Sequence, residues 1–201
     1  MQIINCEQRS EEWFKLREKR LTASHATAIG NCGKGLVTYV NKIMMEYYST
    51  GDPVRFKSSS MDRGTELEES ASFMYCMETG YEVESIGFVV HNDYVGCSPD
   101  NFILPPNENG MVEIKCREDK AYWGILRGDK IDPSEVWQTQ MSMLICEKEW
   151  CDCVDYNPNF KKNLIIRRVF PSLKHYEALE KGFYEGQRLI KEIETEMNLI
   201  L

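Results

Sequence analysis

Two hydrophobic periods share this chain of 201 residues. Where apolar side chains recur every three or four positions the pattern predicts a helix, and where they alternate it predicts a strand. Ser10, followed by Glu11 and Glu12, opens a first helix with a capping hydroxyl and acids against the positive dipole end; Trp13, Leu16 and Arg17 follow at helical spacing. Leu21-Thr22-Ala23-Ser24 predicts a second, short helix, capped by Thr22 and stopped at Gly30. Val37, Val40, Met44 and Tyr47 mark an amphipathic third helix ending near Gly51 and Pro53, and the polar, serine-rich stretch Arg55 to Ser60 reads as a mobile loop. The next helix is expected from about Asp62 to Thr79, closed by Gly80, with Leu67, Ala71 and Met74 on its apolar stripe. Ser85 to His91 and Tyr94 to Cys97 read as strands.

In the second half, Phe102 to Leu104 and Met111 to Cys116 form a predicted strand pair, with Pro105-Pro106-Asn107-Glu108-Asn109-Gly110 as the turn. Lys120 to Arg127 is a short helical segment, and Asp132-Pro133-Ser134-Glu135 is a helix start with proline at the first position. That helix carries Trp137, Met141 and Leu144 on one side, with Gln138, Gln140 and Ser142 elsewhere. Trp150 to Tyr156 and Leu164 to Phe170 are strands joined through Asn157-Pro158-Asn159. From Ser172 to about Asn198 a long helix presents Tyr176, Leu179, Phe183, Gly186, Ile190, Ile193 and Met197 as one stripe, fit to pack on the body or on another subunit. Helices and strands so interspersed predict an α/β protein, a single domain over 1–201 with a long C-terminal helix at about 172–198.

Composition narrows the class. Apolar residues at 42% and charged residues at 28% are ordinary for a globular protein, and no run is long enough to cross a bilayer. The amino terminus lacks the basic and apolar regions of a signal peptide, which predicts a cytoplasmic location. The eight cysteines contain no C-x-x-C pair, and Cys116, Cys146, Cys151 and Cys153 fall in apolar stretches, so buried free thiols are expected. His25, His91 and His175 do not pair with cysteine at finger spacing, which argues against zinc. A net charge of -8 excludes a uniformly basic surface but leaves room for a local basic groove.

The candidate chemistry lies between Gly96 and Arg117. On the strand Met111 to Cys116, Val112, Ile114 and Cys116 share one face and Met111, Glu113 and Lys115 the other, so Glu113 and Lys115 lie roughly 7 Å apart. The predicted reversal brings Asp100 back towards Glu113. Two converging carboxylates are costly unless a cation joins them, and oxygen ligands select a hard ion such as Mg²⁺ or Mn²⁺. Such an ion beside a lysine suits phosphodiester hydrolysis. The same pattern also fits a surface hairpin with an exposed Glu113–Lys115 ion pair. Glu68, at the border of its helix's apolar stripe, is a further possible ligand. Arg17 with Thr22 and Ser24 at a helix start would suit an anion, or the hydroxyls simply cap the helix. Gln138 offers an amide to a phosphate oxygen or a water, or is surface-exposed.

In order along the chain, Glu12-Trp13-Phe14-Lys15-Leu16-Arg17, Leu21-Thr22-Ala23-Ser24, Arg63-Gly64-Thr65-Glu66-Leu67-Glu68, Cys97-Ser98-Pro99-Asp100, Val112-Glu113-Ile114-Lys115-Cys116 and Trp137-Gln138-Thr139-Gln140-Met141-Ser142-Met143 resemble the landmarks of the phage lambda-type exonucleases. These are the YqaJ-like viral recombinase branch of the PD-(D/E)XK nuclease superfamily. The resemblance implies the restriction-endonuclease-like fold, a central mixed β-sheet flanked by α-helices. It implies Asp100, Glu113 and the Ile114 carbonyl as ligands of Mg²⁺, with Mn²⁺ substituting, Glu68 assisting a second ion, and Lys115 and Gln138 acting on the attacking water. Arg17 and Ser24 would receive the 5′-phosphate of a duplex DNA end, with Lys120 as a weaker DNA contact. A homotrimeric ring and a single-strand annealing protein as partner are also implied. The alternatives are a structure-dependent or restriction-type endonuclease, or a non-catalytic DNA-end binding module.

Overall fold

The computed structural model describes residues 1–50, 59–106 and 109–200, with the side chains of 59–66 outside that description. Its elements in chain order are β1 (Gln2–Ile4), α1 (Glu11–Arg17), β2 (Leu21–Thr22), a 3-10 turn (Ala23–His25), α2 (Ala26–Asn31), α3 (Lys34–Tyr48) and α4 (Ser59–Thr79). There follow β3 (Val83–Ser85), β4 (Phe88–Asn92), β5 (Val95–Cys97), β6 (Asn101–Ile103), β7 (Gly110–Cys116) and α5 (Asp119–Leu126). The chain closes with α6 (Pro133–Cys146), β8 (Trp150–Tyr156), β9 (Leu164–Val169) and α7 (Leu173–Asn198).

The strands form two mixed sheets, a four-stranded one in the order β1-β4-β5-β2 and a five-stranded one in the order β3-β6-β7-β8-β9. At the centre of the larger sheet β7 and β8 run parallel, in register from Gly110 opposite Trp150 to Cys116 opposite Tyr156. A parallel pair of this kind must be covered on both faces. Val112, Ile114, Val154 and Tyr156 pack against Ala71 and Tyr75 of α4. Met111, Cys151 and Cys153 face the opposite way, into a core shared with Met141 and Ile145 of α6 and with α2, α3 and α7. The alternation expected for β7 is the one observed, and it puts Glu113 and Lys115 on the α6 side.

Buried polar groups tie these layers together. Asp152, 1% exposed, accepts the Tyr75 hydroxyl at 2.7 Å and both arms of the Arg168 guanidinium at 2.8 Å, locking α4 to β8 and β9. Gln140 is buried; its amide donates to the Phe170 carbonyl and accepts the Ser172 N–H, which fixes the entry to α7. The α7 stripe packs on its own subunit through Leu179, Phe183 and Ile190, and Gly182 lies so close to the Ile29 carbonyl that a side chain there would collide with it.

Several boundaries differ from expectation for local reasons. Leu21-Thr22 is itself a strand, parallel to Val95-Gly96; the helical segment starts behind it at Ala23 as a 3-10 turn, with Thr22 at the N-cap position but its hydroxyl making no capping bond. Gly30 does not stop α2, which runs to Asn31 and ends on a left-handed Cys32; Gly30 instead makes room for the Trp137 ring. Ser85 to His91 is broken at Ile86-Gly87, where the Gly87 backbone meets Cys6, so that β3 and β4 enter different sheets. Helix α3 ends at Tyr48, whereas the expected stop at Gly51 and Pro53 falls outside the described residues. Ser59 and Ser60 are helical, the first residues of α4, and 55–58 of the expected loop fall outside the described residues, as do Asn107 and Glu108 of the expected turn. None of the eight cysteines is in a disulfide; Cys97, Cys146, Cys151 and Cys153 are buried, while Cys116 is half-buried. No helix among the described residues is long and apolar enough to cross a membrane.

Candidate active site

The site grows out of the β6–β7 pairing. Asn101 lies opposite Val112 and Phe102 opposite Met111. Asp100, one residue before β6, continues this ladder with its side chain: Oδ2 accepts the Ile114 N–H at 2.6 Å. The loop that carries it is pinned from outside by Gln8, whose amide donates to the carbonyls of Ile86 and Pro99. Glu113 on β7 is 3% exposed. Its Oε1 accepts the Lys115 ammonium at 2.8 Å and also the Gln138 side-chain amide from α6. The structure thus brings Asp100, Glu113, Lys115 and Gln138 to one end of the central strand, and the Glu113–Lys115 pair is not an exposed surface bridge.

Electrostatics reflect the crowding. Burial, then the charge of Glu113, push the Asp100 carboxyl well above the usual carboxylate range, against the opposing pull of Lys115 and the Ile114 N–H. Burial would lower the Lys115 pKa, but the charges of Glu113 and Asp100 outweigh it, so the ammonium is held more firmly than in a free lysine. Glu68 on α4 is half-buried, and its carboxyl is raised by burial and by Glu113. It therefore belongs to the same electrostatic cluster.

No three His, Cys, Asp or Glu side chains stand close enough together to form a ready-made metal cage among the described residues. The donor set nevertheless fits a hard cation. Glu113 Oε2 is buried and meets no hydrogen-bond donor among the described residues, a costly arrangement for a carboxylate. Neighbouring Asp100 and Glu68 are acids whose ionised forms are disfavoured where they stand, and a divalent ion would relieve that penalty.

A second cluster adjoins the first. The Arg17 guanidinium lies 4.3 Å from the centre of the Trp13 ring and donates to the hydroxyls of Thr22 at 3.2 Å and Ser24 at 3.3 Å. Burial lowers the Arg17 pKa. His25 stacks on Tyr39 at 4.0 Å, meets the Ser24 hydroxyl through Nδ1, and is pushed down to about 4 by burial, Lys42 and Arg17. The Trp13 indole N–H donates to the Ser98 hydroxyl at 2.8 Å, two residues before Asp100, and so connects the two clusters. Lys120 is exposed on α5, and no hydrogen bond or ion pair ties it to Glu68, Asp100 or Glu113 among the described residues.

Sequence reading missed the Trp13–Ser98 link and a network of Arg117, Glu135, Asp155 and Arg167 beside Lys115. Their partners are far apart in sequence, and only the alternation of Asp155 with Cys153 on a predicted strand hinted that an acid would turn inward.

The profile of the YqaJ-like viral recombinase domain matches residues 12–149. Among solved structures, an alkaline exonuclease (LHK-Exo) from Laribacter hongkongensis superposes with a TM-score of 0.80 at 23% identity, covering 96% of this chain and 100% of that one. A structure of LHK-Exo in complex with dAMP gives 0.79 at 25% identity, covering 95% and 96%. A phage related exonuclease from Haemophilus somnus 129PT gives 0.65 at 12% identity, covering 91% and 98%. No curated protein matches the sequence. With the family profile spanning both clusters and a shared fold along nearly the whole length, this chain belongs to the YqaJ-like viral recombinase domain family.

Proposed function

We propose that the protein is a Mg²⁺-dependent exodeoxyribonuclease of the PD-(D/E)XK superfamily. In this reading it processively digests one strand of duplex DNA 5′ to 3′ from a 5′-phosphorylated end and leaves a 3′ single strand for phage-type recombination. The observation that carries the reading is the meeting of Asp100, Glu113, Lys115 and Gln138 around a buried carboxylate with one oxygen unpartnered among the described residues. Family membership supports it, as does the dAMP complex of a structural neighbour.

Asp100, Glu113 and the Ile114 carbonyl would hold the Mg²⁺, with Glu68 assisting a second ion and Mn²⁺ able to substitute. When bound, such an ion lowers the pKa of the attacking water and neutralises charge building on the phosphoryl oxygens. Lys115 enters as a cation, because Glu113 and Asp100 hold its proton; its first contribution is charge and a donated hydrogen bond at the reacting phosphate. Gln138 donates to the same Glu113 Oε1 as Lys115 and would orient the water.

Arg17 and Ser24 would receive the terminal 5′-phosphate, since a guanidinium fork among hydroxyls matches a phosphate in charge and shape. Arg17→Ala is expected to slow digestion of phosphorylated ends about 10-fold or more, with much less effect on hydroxyl ends. Initial rates on the two substrates check this, and equal slowing of both removes the assignment. Lys120 remains a candidate contact to the DNA backbone.

A chain of this length has a radius of gyration of roughly 17 Å, so one copy cannot encircle a duplex. A homotrimeric ring would do so and would reconcile an acidic exterior with a basic bore; light scattering decides it. A single-strand annealing protein on the exposed 3′ strand, and action in the bacterial cytoplasm, complete the reading. The nuclease reading itself is tested by incubating the protein with linear 5′-phosphorylated duplex and with covalently closed circles. Mg²⁺-dependent release of mononucleotides from linear DNA alone is expected; cutting of closed circles would mark an endonuclease instead.

A further inference from the structure

We propose that Arg117 and Glu135 form a positioning pair that sets the first turn of α6 on the end of β7 and thereby holds Gln138 against Glu113. The inference rests on the nuclease reading above. Arg117 follows β7 directly, two residues after Lys115. Its backbone is fixed at both ends, the N–H donating to the Tyr156 carbonyl at 2.9 Å and its own carbonyl accepting the Asn157 amide at 3.0 Å. From this anchored position the guanidinium donates Nε to Asp155 at 2.6 Å and both terminal nitrogens to Glu135, at 2.6 and 2.7 Å. Glu135 lies in the first turn of α6, and Gln138 lies one turn further along the same helix.

Asp155 stands opposite Lys115 across the parallel strands, so the network shares the sheet face of the catalytic groups. Arg117, Glu135 and Asp155 line one small cavity together with Glu113, Lys115 and Arg167. Arg167 donates to the second oxygen of Asp155 and, at 3.0 Å, to the Asp129 carbonyl, steadying the segment that leads into α6. Two guanidinium groups and two carboxylates balance in charge. Only a planar fork with five donors serves Asp155 and Glu135 at once; a lysine at position 117 would keep the charge but lose that geometry. A helix is stiff over one turn, so a tilt at Glu135 reappears at Gln138, and misplacement of a catalytic group by about 1 Å costs as much as 100-fold in rate.

If the network merely stabilised the fold, breaking it would lower Tm and leave turnover of the folded enzyme alone. Mononucleotide release from linear 5′-phosphorylated duplex in saturating Mg²⁺ is therefore measured for wild type, Arg117→Lys, Gln138→Ala and the double variant, with Tm recorded for each. Arg117→Lys is expected to lower kcat about 10- to 100-fold, with KM within about twofold. The double variant should be no slower than Gln138→Ala by more than about twofold, because Arg117 acts through Gln138. Full kcat in folded Arg117→Lys, or losses that multiply in the double variant, would overturn the pairing. If Arg117→Lys does not fold, Glu135→Gln takes its place with the same expectations. A wild type that releases no nucleotide under these conditions refutes the nuclease reading itself, whereas an active wild type with an indifferent Arg117→Lys refutes only this inference.

Discussion

Lys115→Ala is expected to lower mononucleotide release by about 10²–10³-fold while DNA ends still bind. The size of the effect follows from where the ammonium sits. Lys115 is the cation that meets Glu113 at 2.8 Å, on the same strand face and beside the loop of Asp100. The Lys115 side chain is 31% exposed beside the buried Glu113 carboxylate, so its charge acts on the developing phosphoryl charge at short range and with only partial screening by water. The Arg17 cluster lies on other elements, α1 and the segment around Ser24, and the substitution leaves it untouched. A fall in kcat with an almost unchanged KM is the expected signature. Glu113 would lose one of its two partners, so Lys115→Met, which keeps the apolar stem, serves as a control for folding. If both variants turn over DNA at the wild-type rate, catalysis does not reside at Lys115; if the wild type binds DNA ends but releases no nucleotide, the protein is an end-binding module.

Asp100→Asn is expected to abolish hydrolysis and, in the presence of a chelator at neutral pH, to make the protein more stable. The Asp100 carboxyl is raised above its ordinary value by burial and by Glu113. The folded state therefore holds this proton more tightly than the unfolded state does. Between an ordinary carboxylate pKa of about 4 and the raised value, stability must fall as pH rises, because ionising Asp100 is harder in the folded protein. Asparagine never ionises and can still accept the Ile114 N–H, so it escapes that penalty. A gain of about 1–3 kcal/mol, or roughly 2–10 °C in Tm, is expected, with a flatter dependence of Tm on pH above pH 4. Adding Mg²⁺ should raise the Tm of the wild type and leave that of Asp100→Asn nearly unchanged. An asparagine variant less stable than wild type in chelator would show that Asp100 is there for the fold.

Much of this could be read from the chain before its structure. Alternation over Met111 to Cys116 placed Glu113 and Lys115 on one face, and β7 carries them so because the apolar face is claimed by α4. Trp150 to Tyr156 and the long last helix were equally plain, since each repeats one period without interruption. What escaped depended on contacts between distant segments. Thr22 carries a hydroxyl that suits a cap, yet Leu21-Thr22 pairs with β5 as a strand. Gly30 looked like a stop because nothing local reveals that Trp137 packs over it. Nothing local to Gln140 or Asp152 reveals their partners, which lie far away in sequence at positions 170, 172, 75 and 168.

The central claim is that Asp100 and Glu113 share a divalent cation at the end of β7. Crystals soaked in Mn²⁺ and measured at the manganese absorption edge test it most directly. An anomalous peak about 2.2 Å from oxygens of both Asp100 and Glu113, lost in Asp100→Asn, is the predicted result. A peak lying elsewhere, or none while other parts of the crystal take up manganese, would contradict the account.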